Sequence, residues 1–259
     1  MQLTNQKIPL ETLQKYADVK KQALILSGAS GVGKTYLAKE YSKMLDIIDF
    51  NVIDPKVEDI RQMINESSQL DSPIVVCIEN LDIGVPAASF TLLKFLEEPK
   101  DNTYIVITCR NTNKIPDTII SRAPILSIPN MTEQDIESYA ATLDSVKVEQ
   151  VKADKTLWRC VKSFQDLDTL IDMTPQNLAY FKNLLDINAK QSVSAITWKM
   201  QKFPDGTQVP LEIAVRYMMY SNSSWTTYCL SALNDLALGR IGGSAVLSKL
   251  IFELKYLVR

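Results

Sequence analysis

Apolar runs of strand length alternate with stretches of helical period along the first half of the chain. ALILS (23–27) is a short apolar run that ends at glycines. After Lys34, Leu37, Tyr41, Met44 and Leu45 recur at i, i+4, i+7 and i+8, one face of a helix. DFNVID (49–54) reads as a second strand, and Val57, Ile60, Met63 and Ile64 mark a helix running to about Leu70. PIVVCIE (73–79) and YIVITC (104–109) read as buried strands, and ASFTLLKFLEE (88–98) between them as a helix stopped by Pro99. A short helix near DTIISR and a strand at ILSI (125–128) follow. Strands alternating with helices predict an α/β domain, a parallel sheet covered on both faces.

The pattern changes at Pro129, beyond which the periodicity is helical and no strand run stands out. TEQDIESYAATL (132–143) opens on Thr132 with Asp135 three residues later, an imperfect capping box. TPQNLAYFKNLLDI (174–187) begins a second helical block, continued by LEIAVRYMMY, SSWTTYCLSALNDLAL and SAVLSKLIFELKYLV. In the last of these, Val246, Leu247, Leu250, Ile251, Leu254 and Leu257 form a wide apolar stripe. It covers more than one face, more than a small bundle needs for its own core, and so points to assembly. The plan is an α/β domain over 1–130, a small helical domain over 131–174 and a helical bundle over 175–259.

GASGVGKT, residues 28–35, fits the pattern G-x-x-x-x-G-K-[ST] in full. Gly28, Ala29, Ser30, Gly31, Val32, Gly33, Lys34 and Thr35 lie between a strand and a helix. There the backbone N–H groups converge on phosphate oxygens and the helix adds its positive end. Lys34 is placed for the β- and γ-phosphates of ATP, and the Thr35 hydroxyl for Mg²⁺.

Further motifs carry a family resemblance. TLLKFLEEP (91–99), NKIPDTIISR (113–122) and VVCIENLD (75–82), taken with GASGVGKT, stand in the order and at the separations found in bacterial clamp-loader ATPases. Over about residues 20–128 the chain closely resembles the AAA+ clamp loaders, the gamma and delta-prime group of bacterial DNA polymerase III. The helical remainder is similar in layout only. The resemblance implies an AAA+ P-loop domain, a small helical lid and a helical collar that holds subunits in a hetero-oligomeric ring. It implies, as partners, other clamp-loader subunits, a sliding clamp and primer-template DNA.

The resemblance also assigns roles. Ser121-Arg122 matches the family's Ser-Arg, whose arginine reaches a neighbouring subunit's nucleotide; such fingers are worth roughly 10³ to 10⁵ in rate. Ala123 replaces the cysteine that follows in the family. Where the family has Asp-Glu, this chain has Glu79 and Asn80. Glu79 keeps a carboxylate for Mg²⁺. Asn80 has no useful basicity near neutral pH and can only orient a water. Asp82 lies two residues further on, past the strand end, a poor substitute. Arg110 stands where active members carry a Thr or Asn that senses the γ-phosphate; the delta-prime branch is similar here. SFQDLDTLIDM (163–173) lacks the lid arginine, and the gamma branch's four-cysteine zinc cluster has no counterpart, so no zinc is expected. Delta-prime is the closer likeness: ATP bound, little or no hydrolysis by the chain itself, Arg122 offered to a neighbour. An active motor subunit, another AAA+ remodelling or helicase-loading protein, and a small P-loop kinase are the competing readings. LLKFLEEP and the Ser-Arg ending count against the kinase.

Composition narrows the classes. With no histidine, Ser-His-Asp and Cys-His catalysis are excluded, as are His-bearing metal sites. The 28 basic and 30 acidic residues give a formal charge of -2, so the chain is no polycation that grips nucleic acid alone. Residues 176–259 carry nine Lys/Arg against five Asp/Glu, a modest excess that most often means a solvated surface. Cys77, Cys109, Cys160 and Cys229 are too dispersed for C-x-x-C metal spacing, and the first two sit in apolar runs as buried thiols. The N-terminal MQLTNQKIPLETLQKY has no apolar signal core, and no run approaches the ~20 residues of a membrane span. A cytoplasmic protein with no membrane partner is expected.

Overall fold

The computed structural model describes residues 6–67, 70, 72–184, 202–203, 205, 207–238 and 242–256. The chain divides into two compact units, Met1–Asp135 and Ile136–Arg259.

The first unit runs α1 (Lys7–Asp18), β1 (Ala23–Ser27), α2 (Lys34–Met44), β2 (Asp49–Ile53), α3 (Val57–Ser67), β3 (Ile74–Ile78), α4 (Pro86–Glu97), β4 (Thr103–Cys109), α5 (Asp117–Ile120) and β5 (Ile125–Ser127). The five strands form one sheet in the order β2-β3-β4-β1-β5, every pair parallel. Successive residues of a strand point to opposite faces. Ile25, Val76, Ile78, Ile105 and Ile107 enter a core with Ile60, Leu92 and Phe95 of α3 and α4. Leu24, Leu26, Val75, Cys77 and Val106 enter the other, with Leu13, Leu37 and Tyr41 of α1 and α2. Both faces of the central strands are therefore apolar, which is why β1, β3 and β4 read as near-continuous hydrophobic runs. Every strand expected in this half is present. The helix predicted from Val57 to about Leu70 ends at Ser67; residues 68 and 69 of the expected span lie outside the described residues.

Helix α1 was not foreseen. It buries only Pro9, Leu13 and Ala17, a narrow stripe on an otherwise polar segment.

The second unit is helical among the described residues apart from one isolated bridge, Lys202 to Gln208. It comprises most of α6 (Glu133–Ala140), then α7 (Ser145–Lys152), α8 (Lys155–Cys160), α9 (Phe164–Asp172), α10 (Pro175–Leu184), α11 (Leu211–Ser221), α12 (Thr226–Leu238) and α13 (Gly243–Tyr256). The capping box ahead of α6 closes in both directions: Thr132 N–H donates to Asp135 Oδ2 at 2.9 Å, and Asp135 N–H to Thr132 Oγ1 at 3.2 Å. Asp144, Asp154 and Ser163 each accept a first-turn N–H of the helix they precede.

Arg216 ties this unit together. Its Nη1 donates to Asp166 Oδ2 at 2.8 Å and to the Cys160 carbonyl at 2.5 Å, and its Nη2 to Asp166 Oδ1 at 3.1 Å. The arginine side chain is 9% exposed and that of Asp166 13%. These contacts join the segment expected as lid to the one expected as collar.

The stripe on α13 is interior. Val246, Leu247, Leu250, Ile251 and Leu254 are all buried, and Leu257 lies outside the described residues. Among the described residues, the expected surplus on α12 and α13 reduces to Leu230 and Phe252, both about half exposed. The bundle's own packing thus consumes most of the apolar surface that the periodicity assigned to assembly. Among the described residues, no helix is long and apolar enough to cross a membrane.

Candidate nucleotide site

Because all five strands are parallel, the carboxyl ends of β1, β3 and β4 lie at one edge of the sheet. The loops leaving them meet there, the usual ligand position in open α/β sheets. The loop 28–35 leaves β1 and turns into α2. Its start is pinned to the neighbouring strand: Gly28 N–H donates to the Cys109 carbonyl at 3.1 Å. A Cβ on Gly28 would stand 2.9 Å from the Ile128 carbonyl oxygen, so only glycine passes. Gly33 caps α2 at φ 89°, ψ 25°, left-handed backbone that glycine adopts without penalty. Val32 plugs the loop into the core at 1% exposure.

Lys34 is buried, and its Nζ donates to the carbonyls of Gly28 at 2.8 Å and Ala29 at 2.7 Å. Burial first, and then the Arg110 guanidinium, hold the ammonium below its ordinary pKa against the opposing pull of Cys109, Asp82 and Glu79. A cation that lacks full compensation, beside the positive end of an eleven-residue helix, suits a polyanion. Thr35 Oγ1 donates to Glu79 Oε1 at 2.5 Å. These are the two residues expected at Mg²⁺, and two hard oxygen donors already in contact fit that ion.

Arg110 follows β4, and its Nη2 lies 3.2 Å from Ser30 Oγ, so the structure brings it to the phosphate loop. Asn80 sits at φ 51°, ψ 51°, a left-handed position where asparagine is enriched among non-glycine residues. Its N–H donates to Thr108 Oγ1 at 2.9 Å. Arg122 is not part of this cluster. Its Nη1 donates to the Thr118 carbonyl at 2.7 Å and to Ser121 Oγ at 3.3 Å, and its Nη2 to Glu97 Oε1 at 2.7 Å. Ala123 is fully buried in the core, consistent with the small residue expected there.

One residue beside the loop, Gln6, escaped sequence reasoning, and Asp82 counts there only as a poor substitute for the family's second carboxylate. Gln6 is 2% exposed, its Nε2 has no hydrogen-bond partner among the described residues, and a Cβ on Gly33 would come within 2.5 Å of it. Asp82 is 8% exposed, wound into the 3₁₀ turn Leu81–Ile83. A groove of about 640 Å³ lies elsewhere, lined by Asp49, Met63, Glu66 and Ile74 among others, and no residue of the phosphate loop borders it.

Residues 50–132 match the family model described as "DNA polymerase III, delta subunit". The delta' subunit of Haemophilus influenzae DNA polymerase III is 35% identical over 77 residues, covering 29% of this chain and 24% of that protein. The gamma subunit of Buchnera aphidicola subsp. Acyrthosiphon pisum is 25% identical over 185 residues, covering 58% of this chain and 51% of that protein. In these segments the chain resembles the delta-type and gamma subunits of bacterial DNA polymerase III. It spans from a quarter to about half of the length of these curated relatives. A gamma subunit-related protein from Thermotoga maritima superposes with a TM-score of 0.53 over 96% of this chain and 99% of that one. At 13% identity this similarity speaks for the AAA+ fold alone.

Proposed function

We propose that this chain is a clamp-loader subunit that binds ATP with Mg²⁺ through the loop 28–35, turns it over slowly or not at all by itself, and presents Arg122 to a neighbouring subunit. The observation that carries the reading is the joint placement of Lys34, Thr35 and Glu79: a buried, undercompensated ammonium beside a hydroxyl hydrogen-bonded to a carboxylate. Lys34 would exchange its two carbonyl acceptors for phosphate oxygens. Thr35 and Glu79 would hold the ion, directly or through water. Bound Mg²⁺ neutralises charge on the phosphates. Asn80 can orient a water by hydrogen bonds and cannot take its proton. Arg110, at the loop, adds positive charge at the position expected for a γ-phosphate sensor.

The proposed setting is a hetero-oligomeric clamp loader with sibling subunits, a sliding clamp and primer-template DNA, in the cytoplasm. Residues 131–174 would serve as lid and 175–259 as collar. The match of residues 50–132 to the DNA polymerase III delta family model and the similarity to delta' and gamma subunits support this setting. The test of the site is direct: Lys34→Ala should abolish binding of labelled ATP to a chain whose circular dichroism is unchanged. Unaltered affinity in that variant refutes the assignment.

A further inference from the structure

β3 and β4 end in turns that are tied across to each other. Asn80 N–H reaches Thr108 Oγ1, and in the opposite direction Asn111 N–H donates to Asp82 Oδ2 at 3.1 Å. Asn111 directly follows Arg110, whose guanidinium touches the phosphate loop at Ser30. The Asp82 carboxylate therefore stands at the end of β4 that faces the loop. The electrostatics agree: Asp82 and Glu79 both act on the Lys34 ammonium, and Asp82 also acts on the Cys109 thiol, whose backbone carbonyl anchors Gly28. Only one oxygen of Asp82 is satisfied. Oδ1 is buried and has no hydrogen-bond partner among the described residues. A carboxylate is an acceptor only, and a buried oxygen without a donor is costly.

We propose that Asp82 is a second carboxylate of the phosphate site, its Oδ1 accepting a hydrogen bond from a water of the magnesium-bound triphosphate. Mg²⁺ dehydrates reluctantly, keeps several waters and is commonly bound through one or two carboxylates together with phosphates. Glu79 with Thr35 supplies one carboxylate; Asp82 supplies an outer one, acting through water as a positioning residue. The inference rests on the reading of residues 28–35 as an ATP site.

The test compares ATP affinity with and without Mg²⁺ by calorimetry on the whole chain. Asp82→Asn keeps an oxygen for Asn111 N–H and replaces the other with a donor, so a merely structural role leaves the magnesium dependence unchanged. The ratio of the two affinities should fall about tenfold in Asp82→Asn, within the 10–100-fold range of outer-shell substitutions. Asp82→Glu keeps the charge, moves the oxygen by one methylene, and should fall between Asp82→Asn and wild type. It also serves as the readout if Asp82→Asn does not fold. A wild-type ratio in both variants, with ATP binding still dependent on Lys34, overturns the Asp82 assignment and leaves the ATP site standing. Failure of the wild-type chain to bind ATP at all overturns both.

Discussion

Arg122→Ala separates what a residue does for its own subunit from what it does for a neighbour. In the free chain the guanidinium is held by Glu97 and the Thr118 carbonyl, with the arginine side chain 33% exposed and that of Glu97 52%. Pairs this exposed are worth about 0–1 kcal/mol. A neighbour's phosphate therefore has to displace a partner costing at most about 1 kcal/mol, roughly a fivefold factor. A finger contributes 10³ to 10⁵ in rate, about 4–7 kcal/mol at 1.36 kcal/mol per tenfold. The finger term exceeds the resting pair several times over, so pairing with Glu97 does not preclude action in trans. Arg122→Ala should thus change the stability of the chain by less than about 1 kcal/mol. It should leave the chain's own ATP affinity within about twofold, since none of its contacts is in the phosphate loop. Steady-state ATPase of the reconstituted assembly on primed DNA should fall by about 10³. Full turnover in that assembly refutes the argument. So does a loss of the chain's own ATP affinity as deep as that of Lys34→Ala, which would place Arg122 in cis.

Two further outcomes follow from packing alone. Arg216→Met leaves the Asp166 carboxylate in a site only 13% exposed without its guanidinium, and should cost about 3–5 kcal/mol in urea unfolding; a loss under about 1 kcal/mol would mean the pair is solvated. Gly33→Ala forces a left-handed residue against Gln6 and should destabilise the first unit by about 1–2 kcal/mol; an unchanged melting temperature would contradict the φ of 89°.

The sheet was legible because its central strands β1, β3 and β4 are buried on both faces, so that even a run as short as ALIL in β1 carries no polar interruption. The loop was legible because three glycines, a lysine and a threonine at fixed spacing leave few alternatives. What was not legible depends on chain separation and winding. Arg216 and Asp166 are 50 residues apart, and Arg122 and Glu97 are 25 apart, with no pattern that pairs them. The stripe on α13 was read correctly as apolar. Periodicity alone could not say whether the bundle or a partner would cover it. Helix α1 was hidden because three buried positions in twelve residues make too weak a periodic signal.

Asn80 shows the same limit at the site itself. By position in the sequence it replaces a catalytic carboxylate, and the expected consequence is a silent site. Its backbone adds a second consideration. At φ 51° a side chain with a Cβ pays about 1–2 kcal/mol, and asparagine, short and polar, is among the non-glycine residues most enriched there. Glutamate has no such short polar reach. The left-handed residue tightens the exit from β3 into the turn Leu81–Ile83, and that turn carries Asp82 to its buried place beside Asn111. The same winding that suits Asn at 80 thus brings a carboxylate back at 82. On the proposed reading the site retains two carboxylates, Glu79 and Asp82, while losing a base in line with the γ-phosphate. On that proposal the site would hold a magnesium-bound triphosphate and activate water poorly, the properties a subunit needs if its arginine is to serve a neighbour.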